Sequence, residues 1–558
     1  MKVIVIGGVA AGMKAASKIM RLDSSAGVTV IEKGKHLSFA GCGLPYHVSG
    51  VIADEKELMT TAAGTLRDAG FFLKVKNVGV RNLTEAIAID RHQKCVRVKD
   101  LTTGHEEELP YDRLLLATGA EPLRLPVPGL DLGNVFSLHR VEDAAAMKAA
   151  LGAKVSEAVV IGGGLIGVEA VEALHSAGVK VTLLERLDQI LPFLDWEISQ
   201  LVQNHLKSKG VEVRTLTTVT ALAGKVNVEA VETDQGVFKA GLVVVAAGVR
   251  PRVELAKSAG LSIGPTGAIR TNAQMQTEDP DIFAAGDCAE TVHRVTGKPC
   301  WLPLGSTANK QGRVAAMNIC GRTDAFPGIL KTSVCKVFDY AVGSTGLSEK
   351  EARAAGYDVS TVLAPSPDRA HYYPGAKPIM IKLVAEAKNR RLLGAQIVGP
   401  GQADKRIDVA ATAITAGMTV DEIAELDLCY APPYSNAMDP IITAANVARN
   451  KLDGGFLSLT PMEVKSRLDR KEDFVFLDVR SPKEFEAAHI EGALLMPLGE
   501  LREKCRQLPV DTEIVTFCKI SLRGYEAALI LKAHGFKNVS VMDGGMLMWP
   551  YNVEKAAA

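Results

Sequence analysis

The chain reads as an α/β protein of three or four domains. One strand–glycine turn–helix–strand–acid pattern occurs twice, and a separate compact αβ pattern closes the sequence. Its 558 residues exceed what one hydrophobic core organises, since domains usually stop growing near 250 residues. Apolar residues make up 47% and charged residues 23%, with 64 basic against 64 acidic side chains. With no net charge there is no global field to draw the chain to nucleic acid or an anionic membrane, so any anion must be held locally.

The first copy begins with the β-rich run Val3–Ile6, which enters Gly7-Gly8-Val9-Ala10-Ala11-Gly12, and Glu32 follows the apolar run Val28–Ile31. In the second copy, Ala158–Ile161 enters Gly162-Gly163-Gly164-Leu165-Ile166-Gly167, and Glu185 follows Val181–Leu184. Each is a βαβ unit suited to a dinucleotide. Glycines admit the pyrophosphate, the helix N-terminus faces its charge, and the acid takes a ribose hydroxyl. A single glycine turn is weak evidence, but two with correctly spaced acids are much stronger, although Val9 stands where the first copy should have another glycine. Two dinucleotides in one chain suggest FAD and a nicotinamide cofactor.

The nine cysteines (42, 95, 288, 300, 320, 335, 429, 505 and 518) lack the paired spacing of a disulfide framework or a zinc site. Reduced, cytoplasmic thiols and no metal are expected. The Met-Lys start resembles a signal peptide, but its glycines suit a nucleotide turn, and no apolar run is long enough to span a membrane.

Three segments add a resemblance: Leu115-Leu116-Ala117-Thr118-Gly119-Ala120, Ala247-Gly248-Val249-Arg250-Pro251, and Thr277 to Asp287 ending in Gly286-Asp287. They are similar to the linking and flavin-contact motifs of the pyridine nucleotide–disulfide oxidoreductases. The resemblance implies two Rossmann-like domains, an α+β dimerisation domain and a homodimer. It divides the chain into residues 1–118 (FAD, first part), 119–249 (NAD(P)H), 250–327 (FAD, second part) and 328–448 (dimerisation), then a linker at 449–456. It carries FAD onto Gly7, Gly8, Ala10, Ala11, Gly12, Glu32, Lys33, Val80, Thr118, Gly119, Arg140, Gly286, Asp287, Pro303, Leu304 and Ala308. NAD(P)H falls on Gly162, Gly164, Leu165, Ile166, Gly167, Glu185, Arg186 and Gly248. Glu185 favours NADH through a 2′-hydroxyl, while the adjacent Arg186 could accept the 2′-phosphate of NADPH.

Cys42, in Ser38-Phe39-Ala40-Gly41-Cys42-Gly43-Leu44-Pro45-Tyr46-His47, lies where that family places its redox thiol. Dithiol members have a second cysteine five positions on, where this chain has His47. The chain therefore resembles the single-cysteine branch of coenzyme A disulfide reductases, coenzyme A persulfide or polysulfide reductases, and NADH oxidases or peroxidases. Gly43 and Pro45 suit a helix start, so a lowered Cys42 pKa is expected. The cysteines other than 42 and 518 are expected to be small buried hydrophobes.

Lys14, Lys18 and Arg21 share one helix face, which could be no more than a solvated charged surface. In the coenzyme A branch these positions, with Ser38 and Asn309, contact coenzyme A as substrate or tightly bound group. Gly41 replaces the branch's asparagine, and Met438 replaces its lysine. Tyr372 and Tyr430 match tyrosines that the partner subunit supplies for protonation, with Tyr373 and Tyr434 expected to pack.

At the C-terminus, Phe474–Arg480, Glu484-Phe485 and His489–Ala493 look like the opening of a rhodanese-like α/β domain at 457–553. The strand Ile514–Phe517 delivers Cys518-Lys519-Ile520-Ser521-Leu522-Arg523-Gly524. Its loop has the rhodanese length, one residue shorter than that of the cysteine phosphatases. Cys518 is expected to carry sulfane sulfur, with Arg523 and loop amides cradling the anion. The combined expectation is FAD-dependent NAD(P)H reduction of a persulfide, polysulfide or disulfide through Cys42. The alternatives are an NADH oxidase or peroxidase cycling through a sulfenic acid, and a sulfur-carrier protein with a regulatory flavin module.

Overall fold

A computed structural model describes residues 1–153 and 155–555. The chain divides into two compact units, Met1–Asp188 with Val211–Ile329, and Gln189–Gly210 with the chain from Leu330 onward. In the first unit, five parallel strands lie in the order Ile282–Ala284, Arg113–Leu116, Lys2–Ile6, Gly27–Ile31, Gly79–Arg81. Continuous apolar runs such as Val3–Ile6 and Leu114–Leu116 are buried on both faces, as a helix-covered parallel sheet requires. A second parallel sheet runs Glu212–Arg214, Lys180–Leu184, Glu157–Ile161, Leu242–Val245, Val135–Phe136. Each carries one glycine turn at the C-terminal end of a central strand, where such sheets bind ligands. Helix Ala11–Leu22 packs on Gly305–Ile319 so closely that a Cβ on Gly312 would stand 2.4 Å from the Ala11 carbonyl oxygen.

The second unit holds an antiparallel sheet ordered Ser333–Val337, Tyr340–Gly346, Leu392–Gly399, Pro378–Glu386, Val359–Leu363. A separate parallel sheet, Leu457–Leu459, Val539–Met542, Ile514–Phe517, Val475–Asp478, Leu494–Leu495, forms the C-terminal domain. Helix Trp196–Ser208, which the sequence reading placed in the 119–249 domain, belongs with this unit. Buried charge explains the association: the Lys382 ammonium lies 3.0 Å from Asp195, 2.5 Å from Glu197 and 2.7 Å from Glu349. Helix Pro440–Leu452 runs into the expected linker, and its Lys451 bonds Asp543 Oδ2 at 3.2 Å and the Thr361 carbonyl at 2.7 Å. No helix among the described residues is long and apolar enough to cross a membrane.

Candidate active site

The first glycine turn is built by close approach of backbones. Gly7 has φ +112°, and a Cβ there would stand 2.0 Å from the Ala117 carbonyl oxygen; one on Gly12 would stand 1.9 Å from that of Gly7. The Gly8 and Gly34 amides donate to Glu32, each at 2.6 Å, so the acid is fixed at the edge of the turn. The second turn repeats this geometry. Glu185 accepts from Gly163 N at 2.6 Å and Leu187 N at 2.8 Å, while a Cβ on Gly167 would lie 1.9 Å from the Gly162 oxygen. Gly164 precedes the helix Leu165–Ser176 that contains Ile166, and Gly248 has φ +112°. Arg186 is exposed beside Glu185.

Two polar groups in the first unit await a partner. Buried Gln311 accepts from the Gly286 amide at 2.8 Å, while its Nε2 has no partner among the described residues. Burial pushes the Asp287 carboxyl up to about 6, and no described residue hydrogen-bonds it. An unsatisfied amide and a desolvated carboxyl beside an open glycine cradle fit the ribityl and phosphate groups of FAD. Ala308 lines this place, since a Cβ on Gly286 would come within 3.5 Å of its own. Pro303 and Leu304 lead into the same helix, Val80 lies on the sheet's edge strand, and Gly119 has φ +73°. Lys33 is committed to Glu85 at 2.7 Å and Thr118 Oγ1 to the Arg252 carbonyl at 2.7 Å, while Arg140 caps helix Val141–Gly152.

Cys42 is exposed in a single 3-10 turn, Gly41–Gly43. A Cβ on Gly43 would lie 2.4 Å from the Leu58 side chain, so a larger residue there would have to displace it. The expected lowering of the Cys42 pKa is contradicted. The thiol is raised, first by burial and then by the charges of Glu169 and Asp287. The residue is exposed to solvent, yet partial desolvation of the thiol and the two nearby acids all disfavour the thiolate. The following helix, Leu44–Val48, has five residues, too short for a substantial dipole to offset this. His47 is buried and bonds the Ile52 carbonyl through Nδ1 at 2.9 Å, so the position of a second thiol holds a fixed ring.

Glu169 is the residue that sequence reasoning missed. It follows the second turn's Gly167 by two positions, and burial with the Glu172 charge raises its pKa to about 7. The signal available was an acid facing inward on a dinucleotide-binding helix, but its nearness to Cys42 is a tertiary fact.

Lys14 and Arg21 are exposed and Lys18 is half-buried on helix Ala11–Leu22, beside the helix carrying Asn309. Asn309 Nδ2 donates to the Gly305 carbonyl at 2.8 Å. Ser38 takes φ +48° and donates its amide to the Gly8 carbonyl, a strained conformation of the sort kept at functional sites. A Cβ on Gly41 would touch nothing closer than Phe39 at 3.9 Å, so the lost asparagine leaves open space.

In the second unit, Tyr372 lies close enough to Tyr430 for that neighbouring phenol to raise its pKa. Tyr373 and Tyr434, expected to pack, are 38% and 62% exposed, and Met438 is exposed as well. All four phenols sit on loops and are exposed. Cys429, next to Tyr430, is likewise exposed, contrary to expectation, while Cys320 is half-buried and the remaining five are buried. Cys518 is fully buried behind its loop, whose Ser521 takes φ +75°. Met546 N donates to the Cys518 carbonyl at 2.9 Å, and Leu547 N to that of Lys519 at 3.1 Å. Arg523 is not the free anion cradle expected, because Glu484 holds it.

Comparison with known proteins decides the family. The pyridine nucleotide-disulphide oxidoreductase model matches residues 1–312, over half the chain. The chain belongs to the pyridine nucleotide-disulphide oxidoreductases. Within this oxidoreductase, the family's dimerisation domain matches residues 332–441 and a rhodanese-like domain matches 460–550. It is 40% identical to the NAD(P)H coenzyme A polysulfide/persulfide reductase of Pyrococcus horikoshii, over 80% of this chain and 98% of that one. To the coenzyme A disulfide reductase of Staphylococcus haemolyticus it is 30% identical, over 80% and 99%. The solved NAD-dependent persulfide reductase of A. fulgidus superposes with a TM-score of 0.95 at 46% identity, covering 98% of this chain and all of that one.

Proposed function

We propose that this oxidoreductase is an FAD-dependent NAD(P)H reductase of coenzyme A persulfide, polysulfide or disulfide, acting through Cys42. Sulfane sulfur is carried by Cys518, and the working form is a homodimer. The observation that carries the reading is Cys42, an exposed thiol whose pKa is raised by Glu169 and Asp287 after burial, with His47 in place of a second cysteine. A lone thiol must form its mixed disulfide with the substrate, not within the protein. FAD, when bound, supplies the two-electron relay between NAD(P)H and the sulfur on Cys42.

The chain's own groups have distinct tasks. Gly7, Gly12 and Glu32 would hold the adenosine and pyrophosphate of FAD, with Asp287 and Gln311 on its ribityl side. Glu185 would take the nicotinamide cofactor's ribose, favouring NADH. Lys14, Lys18 and Arg21 would hold the phosphates of coenzyme A, and Ser38 and Asn309 would orient it. The Cys42 thiolate displaces a thiolate or hydrosulfide from the substrate's S–S bond; two electrons and a proton then restore Cys42 and release the second sulfur. Tyr372 and Tyr430 are proposed to protonate the leaving sulfur.

Replacing each cysteine separately tests the assignment. Cys42→Ser should abolish sulfide release from coenzyme A persulfide by the NADH-supplied holoenzyme. Cys518→Ser should leave that reaction running and lose only transfer from other sulfane donors. Retention of sulfide release in Cys42→Ser would end the reading.

A further inference from the structure

Helix Pro482–Ala487 takes no part in the chemistry described so far, yet one of its side chains reaches the Cys518 loop. Glu484 stands at the third helical position, and Ser481 is the N-cap. The Glu484 amide donates to Ser481 Oγ at 3.3 Å, while Glu484 Oε2 accepts from the Ser481 amide at 3.1 Å and its hydroxyl at 3.0 Å. This capping box fixes the carboxylate without help from the loop. Both its oxygens then engage Arg523, Oε2 with Nη1 at 2.8 Å and Oε1 with Nη2 at 2.7 Å. The Arg523 guanidinium holds the Glu484 carboxyl down at about 2, and it lies within electrostatic reach of Cys518.

A guanidinium fork is the group best suited to recognise a sulfonate or phosphate bidentately. Here the fork is occupied and its charge offset by an anion built into the domain. The exposed Lys519 remains as a point charge. We infer that Glu484 determines the donor specificity of the Cys518 site: by withholding Arg523 from oxyanions, it directs Cys518 to persulfides and polysulfides and away from thiosulfate. With a persulfide, the Cys518 thiolate attacks the terminal sulfur of R–S–SH. The S–S bond breaks, R–S⁻ leaves with the electron pair, and Cys518–S–SH forms. With thiosulfate, sulfite must leave, and Glu484 holds the Nη1 and Nη2 fork that would otherwise receive two of its oxygens.

The inference rests on the reading of Cys518 as a sulfur carrier. Its test is thiocyanate formation by the holoenzyme with cyanide as acceptor, comparing glutathione persulfide with thiosulfate as donors. Glu484→Gln should raise the ratio of kcat/KM for thiosulfate over persulfide tenfold or more, through the thiosulfate KM, with Glu484→Asp intermediate. Should Glu484→Gln unfold, Ser481→Ala, which only loosens the carboxylate, must move the ratio the same way. An unchanged ratio in folded variants, or a native enzyme that uses both donors within threefold, overturns the inference and leaves the carrier reading intact. No thiocyanate from either donor in the native enzyme overturns both.

Discussion

Burial raises the Cys42 thiol first, and the Glu169 charge raises it further. Removing the Glu169 charge should therefore lower the Cys42 pKa. Iodoacetamide alkylation of the holoenzyme should reach half its maximal rate at a lower pH in Glu169→Gln than in the native chain, and an unchanged profile would show that burial alone sets the thiol. Stability carries a second signature. Glu169 rises from 4.5 to about 7 on folding, so the native state holds that proton more tightly than the unfolded chain. Stability then falls as pH rises from about 4.5 to about 7, and Glu169→Gln should flatten that slope in urea midpoints taken across the window. Glu32 and Glu185 were legible in the sequence because each follows a glycine turn at a set spacing, and Cys42 because its segment resembles the one in which the family carries its redox thiol. Glu169 was not, because what marks it is the burial that the fold imposes on it and its influence on Cys42, both tertiary facts.

Among the elements, the two glycine turns are legible for the same local reason, and their steric demands make them testable. Gly167→Val would drive side-chain atoms into the Gly162 carbonyl. It should raise the NADH KM more than tenfold while FAD absorbance is retained, because the damage is confined to the second turn. The end of helix Pro440–Leu452 was less readable. Lys451-Leu-Asp-Gly-Gly has the composition of a linker, yet Lys451 is drawn onto Asp543, which also accepts from Ser458 at 2.9 Å. Asp543 directly precedes the two glycines that brace the Cys518 loop, where a Cβ on Gly545 would lie 2.3 Å from the Cys518 carbonyl oxygen. Lys451→Met should therefore slow sulfur transfer at Cys518 and lower the thermal midpoint, since it leaves a buried carboxylate without its cation.

At the scale of the whole molecule, the order of domains followed from motif order, and the family models match that order. The grouping of residues 189–210 with the second unit did not follow. Lys382 meets Glu197 across 185 residues of sequence, and no pattern within a helix announces such a partner. Lys382→Met leaves Asp195, Glu197 and Glu349 without their shared cation and should cost about 3–5 kcal/mol of stability, read from denaturant unfolding of this unit's tryptophan signal. A loss below about 1 kcal/mol would mean that apolar contacts, not buried charge, hold the helix Trp196–Ser208 in place.

The central claim is that electrons from NADH are delivered to sulfur through Cys42. Its most direct test is strictly anaerobic oxidation of NADH by the FAD-loaded enzyme with coenzyme A persulfide, counting sulfide against NADH. The account predicts equal amounts of each. NADH consumption that begins only when oxygen or peroxide is admitted would contradict it and assign Cys42 to an oxidase cycle instead.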